Sequence, residues 1–257
     1  MKQAFPTPVS AAAGPDRPWV IVNMAMTADG KIATANRRIA TFGSRVDHEQ
    51  LLALRATADA VLAGARTVEA GAIDLGPGPR RFRQLRLRRG LAEYNLRIIV
   101  SGSGSVSPTA TIFRRRFSPI LVLTTQRAGQ TRLERLRRLA DAVHVCGEEE
   151  LDWPAALRWL LRQWNVRRLV CEGGGQVNDG LFRARVVDEL YLTICPWVAG
   201  GRTAPTLCDG KGFENLDLAQ RFQLVQRRRV GDELFLRFLR SDLQLPSRTT
   251  QHSKATA

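Results

Sequence analysis

Runs of apolar residues alternate with amphipathic segments along most of the chain. The run WVIVNMAM at 19–26 predicts a buried strand, and the runs at 60–64, 96–102 and 119–125 predict three more. Leucines at helical spacing over 47–58 predict a helix between the first two strands. Strands that alternate with helices form a mostly parallel sheet with helices on both faces. The pattern therefore predicts an α/β fold with three layers, α/β/α.

The second half of the chain continues this alternation and ends in a different pattern. Segments 130–141 and 153–164 have helical spacing, and the strand RRLVC lies between the second of them and another helical stretch. Two strand-like segments within 221–239 flank Gly231 and Asp232, a pair typical of a hairpin turn. We therefore expect an antiparallel C-terminal hairpin at one edge of the sheet.

The remaining segments lack such periodicity. Residues 72–95 are rich in glycine, proline and arginine, which predicts a long surface excursion. Residues 1–18 contain no apolar core of a signal peptide and predict a disordered leader, and the polar residues 241–257 predict a disordered tail. One domain is expected over 19–240. No apolar run approaches the roughly 20 residues that span a bilayer, so a cytoplasmic protein without membrane contact is expected.

Composition narrows the possible functions. The chain has 257 residues, enough for one α/β domain, and a formal charge of +15. The positive charge is almost entirely arginine in short bursts, and no helix-turn-helix, RNP or zinc-finger pattern accompanies it. Nucleic-acid binding is therefore not expected as the main role, whereas a phosphorylated small molecule suits a basic surface. The four cysteines are dispersed without a CxxC pair, so no metal site is expected.

The strongest chemical motif is Glu172-Gly173-Gly174-Gly175, which follows a predicted strand and precedes a predicted helix. Such a turn builds an anion site because glycines let the backbone approach a phosphate while free N–H groups and the helix dipole face it. A tight turn alone would need one glycine, so three favour a ligand. The motif is not GxGxxG, and no acidic residue follows at the spacing of a ribose contact, which argues against a Rossmann fold.

Three further positions carry candidate chemistry. Lys31 lies in the turn TADGKIA after the first strand and is one of four lysines in an arginine-dominated chain. Its ammonium could contact a sugar oxygen or transfer a proton, or it could be an ordinary solvated turn lysine. Arg55 lies in an otherwise apolar helix and could bind a phosphate or carboxylate with two bonds, or be an exposed helix residue. Thr67 could cap the next helix, bind a phosphate, or both.

Several blocks occur in an order that resembles the pyrimidine reductases of riboflavin synthesis, within the dihydrofolate-reductase-like superfamily. The blocks are IVNMAMTADGKIA, LRATADAVLAGARTV, LRIIVSGSGSVSP, LVCEGGGQVNDGLF, VDELYLTICPWVAGGRTAPT and the closing hairpin. The likeness covers about residues 19–240 and extends to the stand-alone archaeal type and to the reductase domain of the bacterial deaminase–reductase. The HxE and PCxxC signatures of a zinc deaminase are not present, so no deaminase half is expected.

The resemblance implies a dihydrofolate-reductase-like fold and a homodimer. It also implies an NADPH-dependent reduction at the ribose C1′ of a phosphoribosylamino-pyrimidine, which opens the sugar to a ribityl chain. By the same resemblance, Lys31 and Glu172 would act at the ribose as catalytic residues. The substrate-binding residues that it implies are Asn23, Asp29 and Arg55. The cofactor-binding residues that it implies are Ala25, Thr67, Ser101, Gly173, Gly174, Gly175, Gln176 and Val177.

One stretch departs from the family pattern. The family usually carries Asp-Asp-Pro after the GxxT block and then a basic residue for the substrate phosphate, whereas Gly71 occupies the first Asp position here. Asp74 could substitute for it, and Arg80 or Arg81 could take the phosphate. The departure leaves open a related reductase of another heterocycle, such as a dihydropterin. A non-enzymatic nucleotide- or nucleic-acid-binding protein is a third interpretation, against which the retained lysine and glutamate argue.

Overall fold

One nine-stranded sheet organises the part of the chain that the computed structural model describes, residues 14–37, 42–71 and 73–242. The strand order is β5-β4-β3-β2-β6-β1-β7-β9-β8. The first seven strands in this order, from β5 across to β7, are parallel to one another. Strand β9 pairs antiparallel with β7, and β8 pairs antiparallel with β9. The predicted mostly parallel sheet with an antiparallel C-terminal hairpin is confirmed. The strands are β1 (Trp19–Thr27), β2 (Ala60–Gly64), β3 (Leu96–Val100), β4 (Ile120–Thr124), β5 (Ala142–Val145), β6 (Arg168–Cys171), β7 (Glu189–Cys195), β8 (Phe222–Val230) and β9 (Glu233–Arg240).

Helices cover both faces of this sheet. They are α1 (Arg45–Arg55), α2 (Ala65–Glu69), α3 (Arg80–Arg88), α4 (Thr111–Arg114), α5 (Gly129–Leu139), α6 (Trp153–Trp164) and α7 (Gly175–Arg183), with 3-10 turns at Gln126–Ala128 and Leu216–Leu218. Helices α6 and α7 pack on one face, while α2, α4 and α5 pack on the other. The three-layer α/β/α architecture is confirmed. None of the described helices is both long and apolar enough to cross a membrane.

The continuous apolar strands follow from burial on both faces. In β1, Val20 and Val22 pack towards α6 and α7, whereas Ile21 packs with Leu54 of α1 on the opposite side. Successive side chains of a strand point to opposite faces, so a strand between two helical layers has no polar face to show. This explains why apolar runs, and not strict alternation, mark the central strands.

The segment 72–95 differs from its sequence prediction as a surface excursion. Its second half contains α3, in which Phe82 and Arg86 are buried. Phe82 packs against Leu52 of α1 and against Ala56 just after it, and Leu85 joins the same cluster, so a small apolar contact fixes an otherwise arginine-rich helix. The arginines that surround Phe82 in the sequence conceal this amphipathic pattern.

A residue that precedes Trp19 also contacts the folded domain. Arg17 donates two hydrogen bonds to the carboxylate of Asp188, at 2.6 and 2.7 Å, and this contact lies inside the stretch expected to be a leader. The two predicted disordered ends otherwise lie outside the described residues, apart from residues 14–18 and 241–242.

Candidate active site

A cleft of about 1760 Å³ opens at the carboxyl ends of the central parallel strands. This is the edge at which open α/β sheets bind ligands. The cleft brings together most of the predicted site residues from β1, α1, α2, α7 and the loops after β3 and β6. Those that line it are Asn23, Ala25, Arg55, Thr67, Ser101, Glu172, Gly174, Gly175, Gln176 and Val177. Asp29, Lys31 and Gly173 are not among its lining residues.

A buried ion pair joins two of these residues, 117 positions apart in sequence. The guanidinium of Arg55 donates from Nε and Nη2 to the two carboxylate oxygens of Glu172, both at 2.6 Å. Both side chains are about 10% exposed. The third donor, Nη1, reaches the carbonyl of Gly76 at 2.6 Å. Arg55 is thus not an exposed helix residue, and the bidentate carboxylate contact is one of the two interactions its position suggested.

The electrostatics of this pair favour the charged form of Arg55. Burial disfavours the charged guanidinium, but the adjacent Glu172 charge and its hydrogen bonds outweigh burial, so the pKa of Arg55 is raised. A planar guanidinium held on three sides has little rotational freedom. The cleft therefore presents a fixed carboxylate at the end of β6, with a known orientation for a hydroxyl or amine of a ligand.

The glycine turn after β6 forms the neighbouring wall. The N–H of Gly174 donates to the hydroxyl of Thr67 at 3.2 Å, and α7 begins at Gly175. The N–H groups of Gly175 and Gln176 have no acceptor within the described part of the chain. Free N–H groups in the first turn of a nine-residue helix favour an anion in the adjoining cleft.

The three glycines have different structural reasons. Gly173 has φ of +79°, and a Cβ there would lie 2.2 Å from Cε of Met24. A Cβ on Gly175 would lie 2.6 Å from a carboxylate oxygen of Asp209. Gly174 has an extended backbone, and its Cβ would meet nothing closer than the Thr67 hydroxyl at 3.4 Å. The protein's own packing therefore accounts for Gly173 and Gly175, whereas a side chain at Gly174 would meet no such close contact.

Thr67 and Ser101 line the same wall from the segments that follow the neighbouring strands β2 and β3. Thr67 is the third residue of α2, and its hydroxyl accepts from Gly174 and so links α2 to the start of α7. Ser101 follows β3, is buried, and its hydroxyl lies 3.2 Å from the carbonyl of Ser105. Backbone and hydroxyl groups thus make up this side of the cleft.

Lys31 and Asp29 lie in the turn after β1 and contact other loops. The ammonium of Lys31 is 3.4 Å from the carbonyl of Ala204, and the next two residues, Ile32 and Ala33, line the cleft. The carboxylate of Asp29 accepts from the Thr27 hydroxyl at 2.6 Å and from two backbone N–H groups of the loop after β7, at 3.1 and 2.7 Å. The Thr27 hydroxyl, followed by these backbone donors, lowers the pKa of Asp29 to about 2. Asp29 thus fastens the 196–202 loop to the turn that carries Lys31.

The segment that departs from the family pattern lies partly inside the cleft. Asp74 lines it, accepts from the N–H of Gly76 at 2.9 Å, and forms an ion pair with Arg115 at 2.9 Å. Arg81 instead pairs with Glu49, and neither it nor Arg80 lines the cleft. The geometry does not support the suggestion that Arg80 or Arg81 takes the substrate phosphate. Arg115, which arrives from the connection between α4 and β4, lies at the cleft in their place.

Sequence reasoning also missed an acidic group in the wall of the cleft. Asp47 lies in the first turn of α1 and lines the cleft. Burial raises the pKa of Asp47, and the nearby charge of Glu233 acts in the same direction. Helical spacing indicated Asp47 only as a possible N-cap of α1, a role that Ser44 takes, because its burial depends on contacts with distant elements.

Comparisons with known proteins agree with this geometry. Residues 18–236 match the profile of the RibD C-terminal domain family. The chain is 34% identical over 197 residues to a 2,5-diamino-6-ribosylamino-4(3H)-pyrimidinone 5′-phosphate reductase of Archaeoglobus fulgidus, covering 77% of this chain and 89% of the relative. It is 31% identical over 222 residues to a protein of the same name in Methanothermobacter thermautotrophicus, covering 86% and 98%.

Solved structures give the same fold. A pyrimidine reductase-like protein of Corynebacterium diphtheriae aligns with a TM-score of 0.71 at 22% identity, covering 88% of this chain and 92% of that one. RibD of Acinetobacter baumannii aligns with a TM-score of 0.67 at 20% identity, covering 88% of this chain. The alignment spans 59% of the length of the Acinetobacter protein.

Proposed function

Because the chain belongs to the RibD C-terminal domain family, we propose that it is an NADPH-dependent reductase of riboflavin biosynthesis. Its substrate would be a 5-amino-6-(5-phosphoribosylamino)pyrimidine, whose ribose is reduced to the ribityl form. Two relatives that bear a pyrimidinone 5′-phosphate reductase name support this substrate class. The observation that carries the proposal is that the Arg55–Glu172 pair and the start of α7 face one cleft.

The wall around the glycine turn suits the phosphates of a dinucleotide. The free N–H groups of Gly175 and Gln176 supply donors, and Gly174 has no Cβ to block a close approach. The wall continues with Thr67 of α2, Ser101 after β3 and Val177 of α7. The remaining cofactor contacts that we propose, at Ala25 and around Gly173, lie where this wall meets β1.

The wall around Glu172 suits the sugar. Reduction at C1′ requires a hydride from the nicotinamide, cleavage of the C1′–O4′ bond and a proton at O4′. The carboxylate of Glu172, fixed by Arg55, can accept hydrogen bonds from the ribose hydroxyls and stabilise positive charge that develops at C1′. Asn23, buried on β1, faces the same cleft as a further polar contact.

Lys31 is our proposed source of the proton. Its ammonium lies at the edge of the cleft on a turn that Asp29 braces, and a small movement away from the carbonyl of Ala204 would free all three of its protons. Asp47 is the alternative donor, because its raised pKa keeps its carboxyl protonated to a higher pH than usual.

A homodimer in the cytoplasm completes the proposal. The outermost strand of the described sheet on one side is β8, which shows Leu224 to solvent, and Leu234 of β9 is exposed closer to the hairpin turn. Edge strands of this kind pair readily with another chain. Two buried polar atoms on the adjoining strands, Oη of Tyr191 and Nη2 of Arg237, have no hydrogen-bond partner within the described residues.

The decisive experiment follows NADPH oxidation at 340 nm with the deaminated and the undeaminated phosphoribosylamino-pyrimidine. Turnover of either compound is expected, with NADPH preferred over NADH. Dihydrofolate serves as the control, because a dihydropterin reductase would use it instead. NADPH oxidation with dihydrofolate alone, or with none of the three, would refute the riboflavin role.

The same assay assigns the proton donor. Lys31→Ala should reduce turnover by about two to four orders of magnitude while the dissociation constant of NADPH stays unchanged. Asp47→Asn is the matched variant, since it removes the competing acid that lines the cleft. Full activity of Lys31→Ala together with loss in Asp47→Asn would transfer the role to Asp47.

A further inference from the structure

Arg86 of α3 is a buried guanidinium that binds only carbonyl oxygens. Its side chain is almost fully enclosed, at 1% exposure. Nη1 donates to the carbonyls of Arg55 and Ala58 at 2.7 and 2.6 Å, and Nε donates to the carbonyl of Ala92 at 2.8 Å. Burial lowers the pKa of Arg86 to about 10, so the group stays charged at neutral pH. A buried charge without a carboxylate partner is costly and calls for a specific reason.

That reason lies in where α1 ends. The last carbonyls of a helix have no partner within the helix, and a cation there also favours the negative end of the helix dipole. Arg55 is the final residue of α1, and its own carbonyl receives the Arg86 donor. Arg86 therefore fixes the backbone that carries Arg55, whereas Glu172 and Gly76 fix its guanidinium.

A second contact from the same segment supports the other end of Arg55. The amide of Asn95, fully buried, donates to the carbonyl of Leu75 at 2.8 Å. Leu75 precedes Gly76, whose carbonyl accepts from Nη1 of Arg55. Residues 73–95 thus hold Arg55 at its backbone and at its side chain, although Arg86 itself does not line the cleft.

We propose that Arg86 is a positioning residue for substrate binding, which sets the place of the Arg55 guanidinium and, through it, the Glu172 carboxylate. The inference rests on the proposed role of the Arg55–Glu172 pair at the ribose. Loss of Arg86 moves the pair and leaves the glycine-turn wall in place, because Thr67 and Gly174 are held by a separate hydrogen bond. Substrate binding and turnover should therefore change without a change in cofactor binding.

Arg86→Met tests this, since it retains an unbranched side chain and removes all the donors. The KM for the pyrimidine should rise, or kcat fall, by about tenfold to a hundredfold, with the NADPH dissociation constant within about twofold of the wild type. The pyrimidine kinetics of Arg86→Lys should lie between those of the wild type and those of Arg86→Met, because an ammonium keeps the charge but cannot span three carbonyls. Backbone amide exchange should quicken over residues 52–58.

Leu136→Ala is the control for a general loss of stability. Leu136 is a fully buried residue of α5 that packs in the same cluster as Ile120 and Val122 of β4. If this variant, at a similar drop in melting temperature, changes pyrimidine kinetics as much as Arg86→Met, the positioning role is overturned. Unchanged kinetics and unchanged exchange in Arg86→Met and Arg86→Lys would overturn it as well.

Arg55→Met separates failure of this inference from failure of the proposed function. If Arg55→Met impairs pyrimidine kinetics and Arg86→Met does not, only the positioning role fails. If Arg55→Met has wild-type kinetics, the proposed role of the ion pair fails, and the inference fails with it. Should Arg86→Met not fold, Arg86→Lys and its amide exchange decide the matter.

Discussion

The two walls of the cleft are built from different kinds of atoms. The glycine-turn wall consists of backbone N–H groups and hydroxyls, with Thr67 and Gly174 joined by a single neutral hydrogen bond of 3.2 Å. The opposite wall is a buried ion pair, in which Arg55 and Glu172 share two bonds of 2.6 Å. One wall depends on where the backbone runs, and the other depends on two charges that balance each other.

This difference predicts how each wall responds to substitution. A wall made of backbone groups loses ligand affinity only when a new side chain blocks it, and such a substitution should hardly change the free energy of unfolding. A buried pair couples its function to stability, because removal of one partner leaves the other charge without compensation. The two walls can therefore be separated by comparing ligand affinity with the free energy of unfolding.

The largest effect is expected when the pair is broken on one side. Glu172→Leu leaves the guanidinium of Arg55 buried with only the carbonyl of Gly76 as a partner, which should lower the free energy of unfolding by about 3–5 kcal/mol. Urea denaturation measures this. The double variant Arg55→Met/Glu172→Leu should be more stable than the single one, because no charge is left unpaired. A double variant that loses the sum of both single effects would contradict the description of this wall.

An intermediate effect, confined to affinity, is expected at the glycine turn. Gly174→Ala should keep the wild-type melting temperature, since its Cβ meets no atom closer than 3.4 Å, yet weaken NADPH binding by at least about tenfold, or 1.4 kcal/mol. The methyl group would stand beside the Thr67 hydroxyl, where a phosphate would approach.

Gly173→Ala is the matched variant for that experiment. It places a side chain at φ of +79° and against Met24, so it should destabilise the fold by about 1–2 kcal/mol or more. Calorimetry gives the melting temperature of each variant, and titration gives its dissociation constant for NADPH. Normal NADPH affinity in Gly174→Ala would show that this glycine does not face the cofactor.

The same contrast explains what could be predicted from the sequence. The glycine turn is a local feature, in which strand, glycines and helix start lie within one stretch, so its motif shows its place in the fold directly. Apolar runs likewise identified the central strands, and the Gly231-Asp232 turn identified the C-terminal hairpin. The resemblance to known reductases predicted that Arg55 and Glu172 lie at one pocket. Their direct pairing depends on the register of β6 beside β2, which neither local sequence indicates.

Long-range polar contacts were the part that could not be predicted. Arg86 lies among arginines that look like a solvated surface, and nothing local indicates that its guanidinium meets the end of α1. Arg115 reaches Asp74 from 41 positions away, and Asp47 acquires its raised pKa from burial against other elements. Burial of a charged side chain is set by tertiary packing, which a sequence pattern does not record.

The smallest effect is expected at Asp29, a charged carboxylate that is held by backbone donors. Asp29 is exposed and charged like a surface residue, yet backbone N–H groups of Ala199 and Gly200 hold it as the glycine turn would hold a phosphate. Its pKa falls from 3.8 to about 2, first through the Thr27 hydroxyl and then through these donors. Because the folded pKa lies below the unfolded one, the stabilisation is fully present above about pH 4 and disappears as the pH falls through about 2.

Asp29→Asn should therefore be less stable than the wild type near neutral pH, by an amount that shrinks steadily between about pH 4 and pH 2. Denaturant titrations of both proteins across that window measure the difference. Thr27→Val, which removes the largest contribution to the low pKa, should show a weaker dependence on pH in the same window. A difference between wild type and Asp29→Asn that stays constant down to pH 2 would mean that the hydrogen bonds from the 196–202 loop do not stabilise the charged carboxylate. The loop would then be held by packing alone, and the turn that carries Lys31 would owe its position to the strand pairing of Lys31 with Thr206.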